Sequence, residues 1–434
     1  MTITLTPEQQ AVFDAIETSG EHLFVTGRAG TGKSTLLNHL AWHTSKQIVI
    51  CAPTGVAALN VGGQTIHSLF KLPIGVIGDG AIEQRGDVRK LLAKIDTLVI
   101  DEISMVSADV MDAIDRSLRQ ARGRTKEAFG GCQVVMFGDP FQLSPVPPND
   151  PDERAYLDDT YRSLWFFDAK VWRDAPLSIY ALREIHRQHD DEFKRILNAV
   201  RYGQVTAEMA ERLNAVGARP APEDGVITLA TRNDRVNRIN AQRLELLPGS
   251  TMTAKAEISG DFGQSKAQYP AEEELQLKVG AQVMFLRNDS DGRWVNGSIG
   301  EVTRIDRTVY VEVDGDEHEV EPLVWEKLKY SYSPFTKELK RDVVGEFTQF
   351  PLRLAWAVTI HKSQGKTYDR AVVDLGRGAF SPGQTYVALS RIRSLEGLFL
   401  ERPLEPRDII VDDHVLRFMQ GIAEQRARAA AAAE

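Results

Sequence analysis

The feature that most constrains this fold is a glycine-rich stretch at residues 27–34, Gly-Arg-Ala-Gly-Thr-Gly-Lys-Ser. It follows an apolar run at 22–26 and precedes a helix-compatible run at 35–42. Glycines let the backbone turn sharply and bring its N–H groups close to a polyphosphate. The sequence therefore predicts a nucleoside triphosphate site between a strand and a helix. The alternative is a chance glycine-rich turn, which a second nucleotide motif argues against.

The residues of this phosphate loop (27–34) have separate roles in the motif. The lysine reaches the β- and γ-phosphates, and the serine hydroxyl holds Mg²⁺. The nucleotide-binding residues predicted here are Gly27, Gly30, Thr31, Gly32, Lys33, Ser34 and Thr35.

The second nucleotide motif is the acidic pair Asp101-Glu102, at the carboxyl end of an apolar run at 97–101. Open α/β sheets place their ligands at the carboxyl ends of strands. Asp101 is the natural partner of Mg²⁺, and Glu102 is the natural base or orienting group for an attacking water. Together with the phosphate loop, the pair predicts hydrolysis of a nucleoside triphosphate.

Two glutamines allow two interpretations each. Gln9 lies in a helix that Thr6 caps, and its carboxamide is suited to adenine N6 and N7, although a surface role is also open. Gln142 follows an apolar run at 133–137, where it is suited to contact a γ-phosphate or to cap the loop.

Length and composition exclude several classes of protein. A chain of 434 residues is too long for one core and suggests roughly two to four domains. No apolar run approaches a membrane span, and residues 1–6 lack a secretory signal, so we expect a cytoplasmic, bacterial-type protein with no membrane partner. Cys51 and Cys132 lie in apolar runs and are expected to be buried, inert thiols. A net charge of −9 does not exclude a local basic groove.

The pattern of apolar runs predicts two α/β units with an insertion. The strand-like runs are 22–26, 47–52, 97–101 and 133–137 in the first unit, and 178–182, 226–230, 356–360, 371–374 and 398–400 in the second. Strands that alternate with helices are typical of parallel sheets. Further strand-like runs at 277–287, 297–305 and 309–313, separated by Asn-Gly and Asp-Gly turns, predict a small β-barrel inserted in the second unit.

Several motifs together resemble those of superfamily 1 helicases that move 5′ to 3′. They are the phosphate loop, residues 52–58, residues 62–68, Asp101-Glu102, and residues 138–146, 182–188, 357–367 and 383–393. Asp112, Asp115, Arg116 and Arg119, followed by residues 129–134, resemble the signature of the Pif-type branch (superfamily 1B), with RecD-like helicases as nearest relatives. The resemblance covers about Leu5 to Arg393. One departure is Ser144-Pro145, where the family has a double proline.

This resemblance implies an α/β fold with two RecA-like parallel-sheet cores. The first core is expected at 1–176, and the second at 177–275 and 353–434. Residues 71–89 form either a plain surface hairpin or the family's wedge, which splits the duplex, and Leu72 to Gly80 is the candidate. An SH3-like β-barrel insertion is expected at 276–352.

The resemblance also implies the site residues. The catalytic residues are expected to be Lys33, Asp101, Glu102, Gln142, Arg187 and Arg391, of which the two arginines reach across the cleft. Gln9 and Gly365 join the nucleotide-binding set, and Ser34 and Asp101 hold the metal. The DNA-binding residues are expected to be Pro53, Thr54, Gly55, Thr65, His67, Ser68, Phe70, Pro145, Thr359, His361 and Lys362.

The expected function is that of an ATP-dependent DNA helicase in genome maintenance, with ATP and Mg²⁺ as cofactors. Its partners are single-stranded DNA and single-strand/duplex junctions, and G-quadruplexes or RNA–DNA hybrids are further substrates of this class. We expect a monomer, with a DNA-induced dimer left open. Two rivals are a translocase that removes proteins from single strands and an RNA helicase, which differ in the wedge and in 2′-OH contacts. A nucleotide-switch scaffold without motor activity is the rival from another class.

Overall fold

The computed structural model describes residues 4–433 except 74, 79–81, 83–85, 174, 186, 189, 224, 263–268 and 334–337. Its first half is built on a parallel sheet. The strands are β1 (His22–Gly27), β2 (Ile48–Ala52), β3 (Gln64–Thr65), β4 (Thr97–Ile100), β5 (Gln133–Gly138) and β6 (Leu177–Leu182). Their order in the sheet is β3-β2-β4-β5-β1-β6, and every pairing is parallel.

Helices cover both faces of this sheet. They are α1 (Pro7–Thr18), α2 (Lys33–His43), α3 (Gly55–Asn60), α4 (Ile66–Phe70), α5 (Gly86–Leu92), α6 (Ala108–Arg122) and α7 (Pro151–Thr160). Successive residues of β1 belong to different hydrophobic clusters, because Leu23 and Val25 pack on one face and Phe24 on the other. Burial on both faces explains why these strands are continuous apolar runs in the sequence.

The position of β6 corrects the predicted boundary at 176/177. The strand itself was predicted at 178–182, but it pairs with β1 from His22↔Leu177 to Gly27↔Leu182 and so completes the first sheet. The second unit therefore begins after Leu182. An apolar run indicates a strand but does not say which sheet that strand joins, since pairing is a long-range property.

The second half contains one parallel and several antiparallel sheets. Its strands are β7 (Ile227–Ala230), β8 (Met252–Lys255), β9 (Glu257–Gly260), β10 (Glu274–Leu277), β11 (Gln282–Phe285), β12 (Ile299–Ile305), β13 (Val309–Val313), β14 (Asp316–Val320), β15 (Leu323–Ser333), β16 (Glu338–Gln349), β17 (Leu352–Leu354), β18 (Ala357–Thr359), β19 (Ala371–Asp374) and β20 (Leu398–Leu400). The parallel sheet has the order β18-β7-β19-β20 and forms the second core. The predicted runs at 226–230, 356–360, 371–374 and 398–400 all contain one of its strands.

The antiparallel insertion is larger than the predicted 276–352. Its main sheet has the order β14-β13-β12-β11-β17, and β15, β16 and β9 form a second sheet. Since β8 pairs with β10 and β9 pairs with β16, the insertion already begins at Met252. Polar strands such as β9 (Glu-Ile-Ser-Gly), which is exposed throughout, lack the apolar runs on which the prediction depended.

The remaining helices are α8 (Asp191–Tyr202), α9 (Ala207–Gly217), α10 (Asn233–Leu246), α11 (Gln384–Ser390) and α12 (Asp413–Ala433). The C-terminal helix α12 packs on both cores, because Val415 is buried in the cluster of the second core and Phe418 packs against that of the first. The Phe418 ring stacks on Phe167 with 4.1 Å between centroids, and Trp165 Nε1 donates to Asp412 Oδ2 over 2.9 Å. The start of α12 therefore ties the two cores together.

Residues 71–89 are anchored to α6 rather than forming a hairpin in their described part. Leu72 and Ile77 are buried in the first core, and the Ile77 N–H donates to Asp109 Oδ2 over 3.0 Å. Arg116 Nη2 donates to the Gly78 carbonyl over 2.8 Å. Of the wedge candidate, positions 74, 79 and 80 lie outside the described residues.

Both cysteines are buried free thiols, and burial raises the pKa of each, that of Cys132 to about 12. They are therefore unreactive, as predicted. In the described part of the chain, no helix has the length and apolarity that crossing a membrane requires.

Candidate nucleotide cleft and strand-binding face

The phosphate loop connects β1 to α2 and forms the N-terminus of that helix. Gly30 and Gly32 have φ values of +82° and +77°, which only glycine adopts without strain. Lys33 Nζ donates to the Gly27 carbonyl over 2.7 Å and to the Arg28 carbonyl over 3.0 Å. Burial lowers the pKa of Lys33 to about 8, while Asp139 and Glu102 act in the opposite direction. The loop thus presents a cation and a helix N-terminus at one point, where a polyphosphate fits.

The acidic pair lies beside this loop, directly after β4. Burial raises the pKa of Asp101, and the Glu102 charge raises it further. Burial also raises the pKa of Glu102, whereas Lys33 and Arg391 oppose that rise. Two close carboxylates that resist ionising together favour a divalent cation, which would stabilise both charges. This donor set, with the exposed hydroxyl of Ser34, fits Mg²⁺.

Arg187 lies just after β6, where the second unit begins, and it packs against the phosphate loop. A Cβ at Gly30 would lie 2.5 Å from Arg187 Cβ, so a side chain at position 30 is excluded. Arg187 Nη1 donates to the Ser390 carbonyl over 3.1 Å. Burial, and after it the charge of the neighbouring Arg391, lowers the pKa of Arg187 to about 9. Burial and a neighbouring cation disfavour the charge of Arg187, so an anionic ligand in the cleft would stabilise it.

Arg391 is brought to the same cleft but is enclosed, with 1% of its surface exposed. Its Nε donates to the Val387 carbonyl over 3.0 Å, and its Nη2 donates to Ser390 Oγ over 2.8 Å. Arg187 therefore lies beside the loop and Arg391 is bonded within its own helix end, and the cross-cleft role of both arginines stays a prediction.

The two glutamines lie at the cleft in different ways. Gln142 is 6% exposed, and a Cβ at Gly383 would lie 2.2 Å from its carbonyl oxygen, so this segment touches the second core. Gln9 Oε1 accepts from the Thr6 N–H over 3.0 Å, and its Nε2 donates to the Gly32 carbonyl over 3.3 Å. Adenine recognition by Gln9 stays a prediction, and the second lone pair of Oε1 and the second N–H of Nε2 are the groups that would serve it.

Three buried residues join the cores beneath the phosphate loop, and none of them was predicted from the sequence as a site residue. Asp139 Oδ1 accepts from Arg201 Nη2 over 2.8 Å. Tyr386 donates its hydroxyl to Asp139 Oδ2 over 3.3 Å and accepts from the Ala29 N–H of the loop over 3.1 Å. Asp139 and Tyr386 lie inside the motifs at 138–146 and 383–393. Arg201 could have been found from the sequence, because it is a charged residue in the apolar stripe of α8.

We expect Arg201→Met to lower the free energy of unfolding by about 3–5 kcal/mol, because it leaves the buried Asp139 carboxylate without its partner. Burial raises the pKa of Asp139, but the Arg201 and Lys33 charges hold it below its ordinary value of 3.8. The contribution of the pair to the free energy of unfolding is therefore present above pH 3.8. It is lost as the pH falls through the lower pKa of Asp139 in the folded state. Urea denaturation at pH 7 measures the change. Arg212→Met, which breaks an exposed ion pair with Glu192, is the control and should leave the midpoint nearly unchanged; an equal effect in both variants would contradict the assignment.

The predicted strand-binding residues of the first core follow β2 and β3. Thr54 Oγ1 accepts from the Ala57 N–H over 3.2 Å and caps α3, and Thr65 Oγ1 accepts from the Ser68 N–H over 3.2 Å and caps α4. These residues are partly exposed, as are Pro53, Gly55 and His67. They form one half-exposed surface at the carboxyl ends of the strands.

Phe70, one of the predicted DNA-binding residues, differs in its burial from those of the half-exposed surface. Its side chain is fully buried in the first core with Ile66 and Leu69, because these three residues form the apolar face of the short helix α4. It is therefore a core residue, and its aromatic ring is closed to a nucleobase in this structure. Pro145 is also buried, next to the exposed Val146.

On the second core the strand-binding candidates surround the end of β18. Thr359 is 5% exposed, and its Oγ1 accepts from the Lys362 N–H over 3.3 Å. His361 and Lys362 are exposed. Gly365 follows with φ +77° and no atom within 4 Å of its Cβ position. Both cores therefore present polar groups beyond the carboxyl ends of parallel strands.

Comparison with known proteins connects this geometry to one family. The model of the PIF1-like helicase family matches residues 4–211, and that of the DNA helicase Pif1 2B domain matches residues 264–305. The chain is 36% identical to ATP-dependent DNA helicase Pif1 of Bdellovibrio bacteriovorus, over 96% of this chain and 92% of that protein. It spans 63 to 65% of the length of the similar vertebrate PIF1 helicases.

Solved structures show the same similarity. Pif1 from Bacteroides sp in complex with ADP-AlF4 superimposes with a TM-score of 0.90 at 37% identity, over 98% of both chains. Bacteroides Pif1 bound to ssDNA gives a TM-score of 0.71 at the same identity and coverage. By TM-score, the structure of this chain is therefore more similar to Bacteroides Pif1 with ADP-AlF4 than to Bacteroides Pif1 with ssDNA.

Proposed function

This chain belongs to the PIF1-like helicase family, and on that premise we propose that it is an ATP-dependent DNA helicase that moves 5′ to 3′ along single-stranded DNA. The observation that carries the proposal is the contact of Arg187 with Gly30, because it places a cation of the second unit against the phosphate loop of the first core. A nucleotide in this cleft contacts both halves, so its hydrolysis changes how firmly they hold together. The direction of movement comes from the family resemblance alone.

We propose the following roles within the cleft. The loop amides and Lys33 bind the β- and γ-phosphates, while Glu102 orients the attacking water and Arg187 stabilises the charge that develops on the transferred phosphoryl group. Ser34 and Asp101 would hold Mg²⁺, which supplies charge neutralisation between the phosphates when bound. Gln142 and Arg391 are proposed to contact the nucleotide after the halves close.

We propose that the DNA strand crosses both cores over the half-exposed surface at Thr54, Thr65 and His67 and over His361 and Lys362. Hydroxyl, imidazole and ammonium groups suit phosphate oxygens, which carry no sequence information, so binding is directed to the backbone. When the cleft opens and closes, the two grips change their separation and the strand advances by a step. The described part of residues 71–89 is anchored on α6, as a rigid element at the junction requires, and it remains our candidate for the wedge.

A translocase without strand separation and an RNA helicase would use the same cleft, and a nucleotide switch would lack the two grips. One solved structure at 37% identity concerns DNA unwinding at forked double-stranded DNA by two coordinating Pif1 helicases. We therefore propose a monomer on single strands and leave a second copy at a fork as an alternative.

The test is strand displacement on a partial duplex with a 5′ tail, compared with the same duplex carrying a 3′ tail. We expect ATP-dependent unwinding of the 5′-tailed substrate only, with ATP hydrolysis stimulated by either single-stranded tail. Stimulated hydrolysis without unwinding of either substrate would favour the translocase. Hydrolysis that DNA leaves unchanged would favour the nucleotide switch, and a preference for RNA tails would favour the RNA helicase.

A further inference from the structure

The side chain of Gln364 crosses the cleft to the acidic pair. Its Nε2 donates to Glu102 Oε2 over 2.9 Å, which joins the second core to the first. We infer that Gln364 holds Glu102 away from the attacking water when no DNA is bound, and that a strand on His361 and Lys362 withdraws Gln364. Gln364 is thus a positioning residue that makes hydrolysis depend on DNA. The inference rests on the proposed function, which assigns the water to Glu102.

The geometry of one short turn connects the DNA grip to Gln364. The Lys362 N–H donates to Thr359 Oγ1 over 3.3 Å, and the Gln364 N–H donates to the His361 carbonyl over 3.2 Å. Ser363 is fully buried, and its N–H donates to the Ile360 carbonyl over 3.2 Å. Because these bonds close the turn, the exposed grip residues and Gln364 move together.

The chain after this turn allows such a movement. Gly365 has φ +77°, and no atom lies within 4 Å of its Cβ position, so it has conformational freedom and open space. The next residue, Lys366, is 8% exposed and fixed between the core and the insertion, where its Nζ lies 3.6 Å from Met284 Sδ. A flexible position between a closed turn and a buried anchor is where a hinge is expected.

The Glu102 backbone shows why a partner across the cleft matters. Glu102 has φ +49° and ψ +45°, a left-handed conformation that a residue with a Cβ adopts only when its surroundings hold it. With one carboxylate oxygen bonded to Gln364, the group is turned towards the second core. Loss of that bond frees the oxygen to contact a water at the phosphate loop.

The test compares ATP hydrolysis with and without a saturating single-stranded oligonucleotide. In Gln364→Ala we expect the rate without DNA to rise about tenfold, the scale of one hydrogen bond to a charged group, while the rate with DNA stays within about twofold of wild type. The stimulation ratio therefore falls about tenfold. Gln276→Ala makes the same chemical change on an exposed strand of the insertion and should keep the wild-type ratio.

Two results would overturn the inference. An unchanged rate without DNA would show that Gln364 does not restrain Glu102, and equal losses with and without DNA in a folded Gln364→Ala protein would show that it orients Glu102 productively. Glu102→Gln tests the proposed function separately, because wild-type hydrolysis by this variant would remove Glu102 from catalysis. An inactive Glu102→Gln protein beside an unchanged Gln364→Ala protein would leave the function intact and reject only the restraint.

Discussion

Lys33→Ala is expected to abolish ATP hydrolysis and DNA unwinding while the protein stays folded. The ammonium of Lys33 is the cation that the phosphate loop places at its centre, 2.7 Å from the Gly27 carbonyl. It is proposed to contact the β- and γ-phosphates, where charge grows during the reaction. Loss of one preorganised donor to such charge lowers kcat by roughly 10²–10³-fold, and loss of ATP binding adds to this.

The same variant should keep its stability, since Lys33 bonds only to carbonyls of its own loop in the described contacts. Steady-state ATPase and strand-displacement assays measure the loss, and circular dichroism checks the fold. Lys255→Ala, at an exposed position of the insertion, is the control and should retain wild-type rates. Normal unwinding by folded Lys33→Ala protein would show that the phosphate loop is not the nucleotide site.

The sequence predicted those parts of the site that depend on neighbouring residues. The phosphate loop needs glycines, a lysine and a serine within eight positions, and the acidic pair needs only the apolar strand before it. Both follow from local rules, because the carboxyl ends of parallel strands meet at one edge of a sheet. Most strands of both parallel sheets were visible as apolar runs, since strands buried on both faces are largely apolar, whereas the short polar strand β3 was not predicted.

The parts that the sequence did not predict depend on distant pairings. The strand β6 joins β1 across more than a hundred residues, and Arg201 finds Asp139 in another unit. The resemblance placed Phe70 on the DNA, but the packing of α4 buries it in the core. Each outcome is decided by tertiary packing, which local pattern does not encode.

Arg187→Ala is expected to lower kcat by about 10³–10⁵-fold with a much smaller change in KM. Negative charge on the transferred phosphoryl group grows in the transition state, so a cation that meets it there contributes more to rate than to binding. Arg187 is suited to this role because it lies beside the phosphate loop. It is so close to Gly30 that any side chain at position 30 would clash with its Cβ. Its partner Arg391 is a poorer test, since it is fully enclosed and its removal would also affect packing.

Arg183→Ala is the matched control, four residues earlier in the same segment. The Arg183 side chain is exposed, and its backbone N–H, which the substitution keeps, bonds to Glu8 Oε2 over 2.8 Å. It should therefore retain both kcat and KM. ATPase rates with saturating single-stranded DNA, measured across a range of ATP concentrations, separate the two constants. A higher KM with normal kcat in Arg187→Ala would mean that this arginine only binds ATP, and the charge of the transition state would then have to be met by Arg391 after it leaves its helix end.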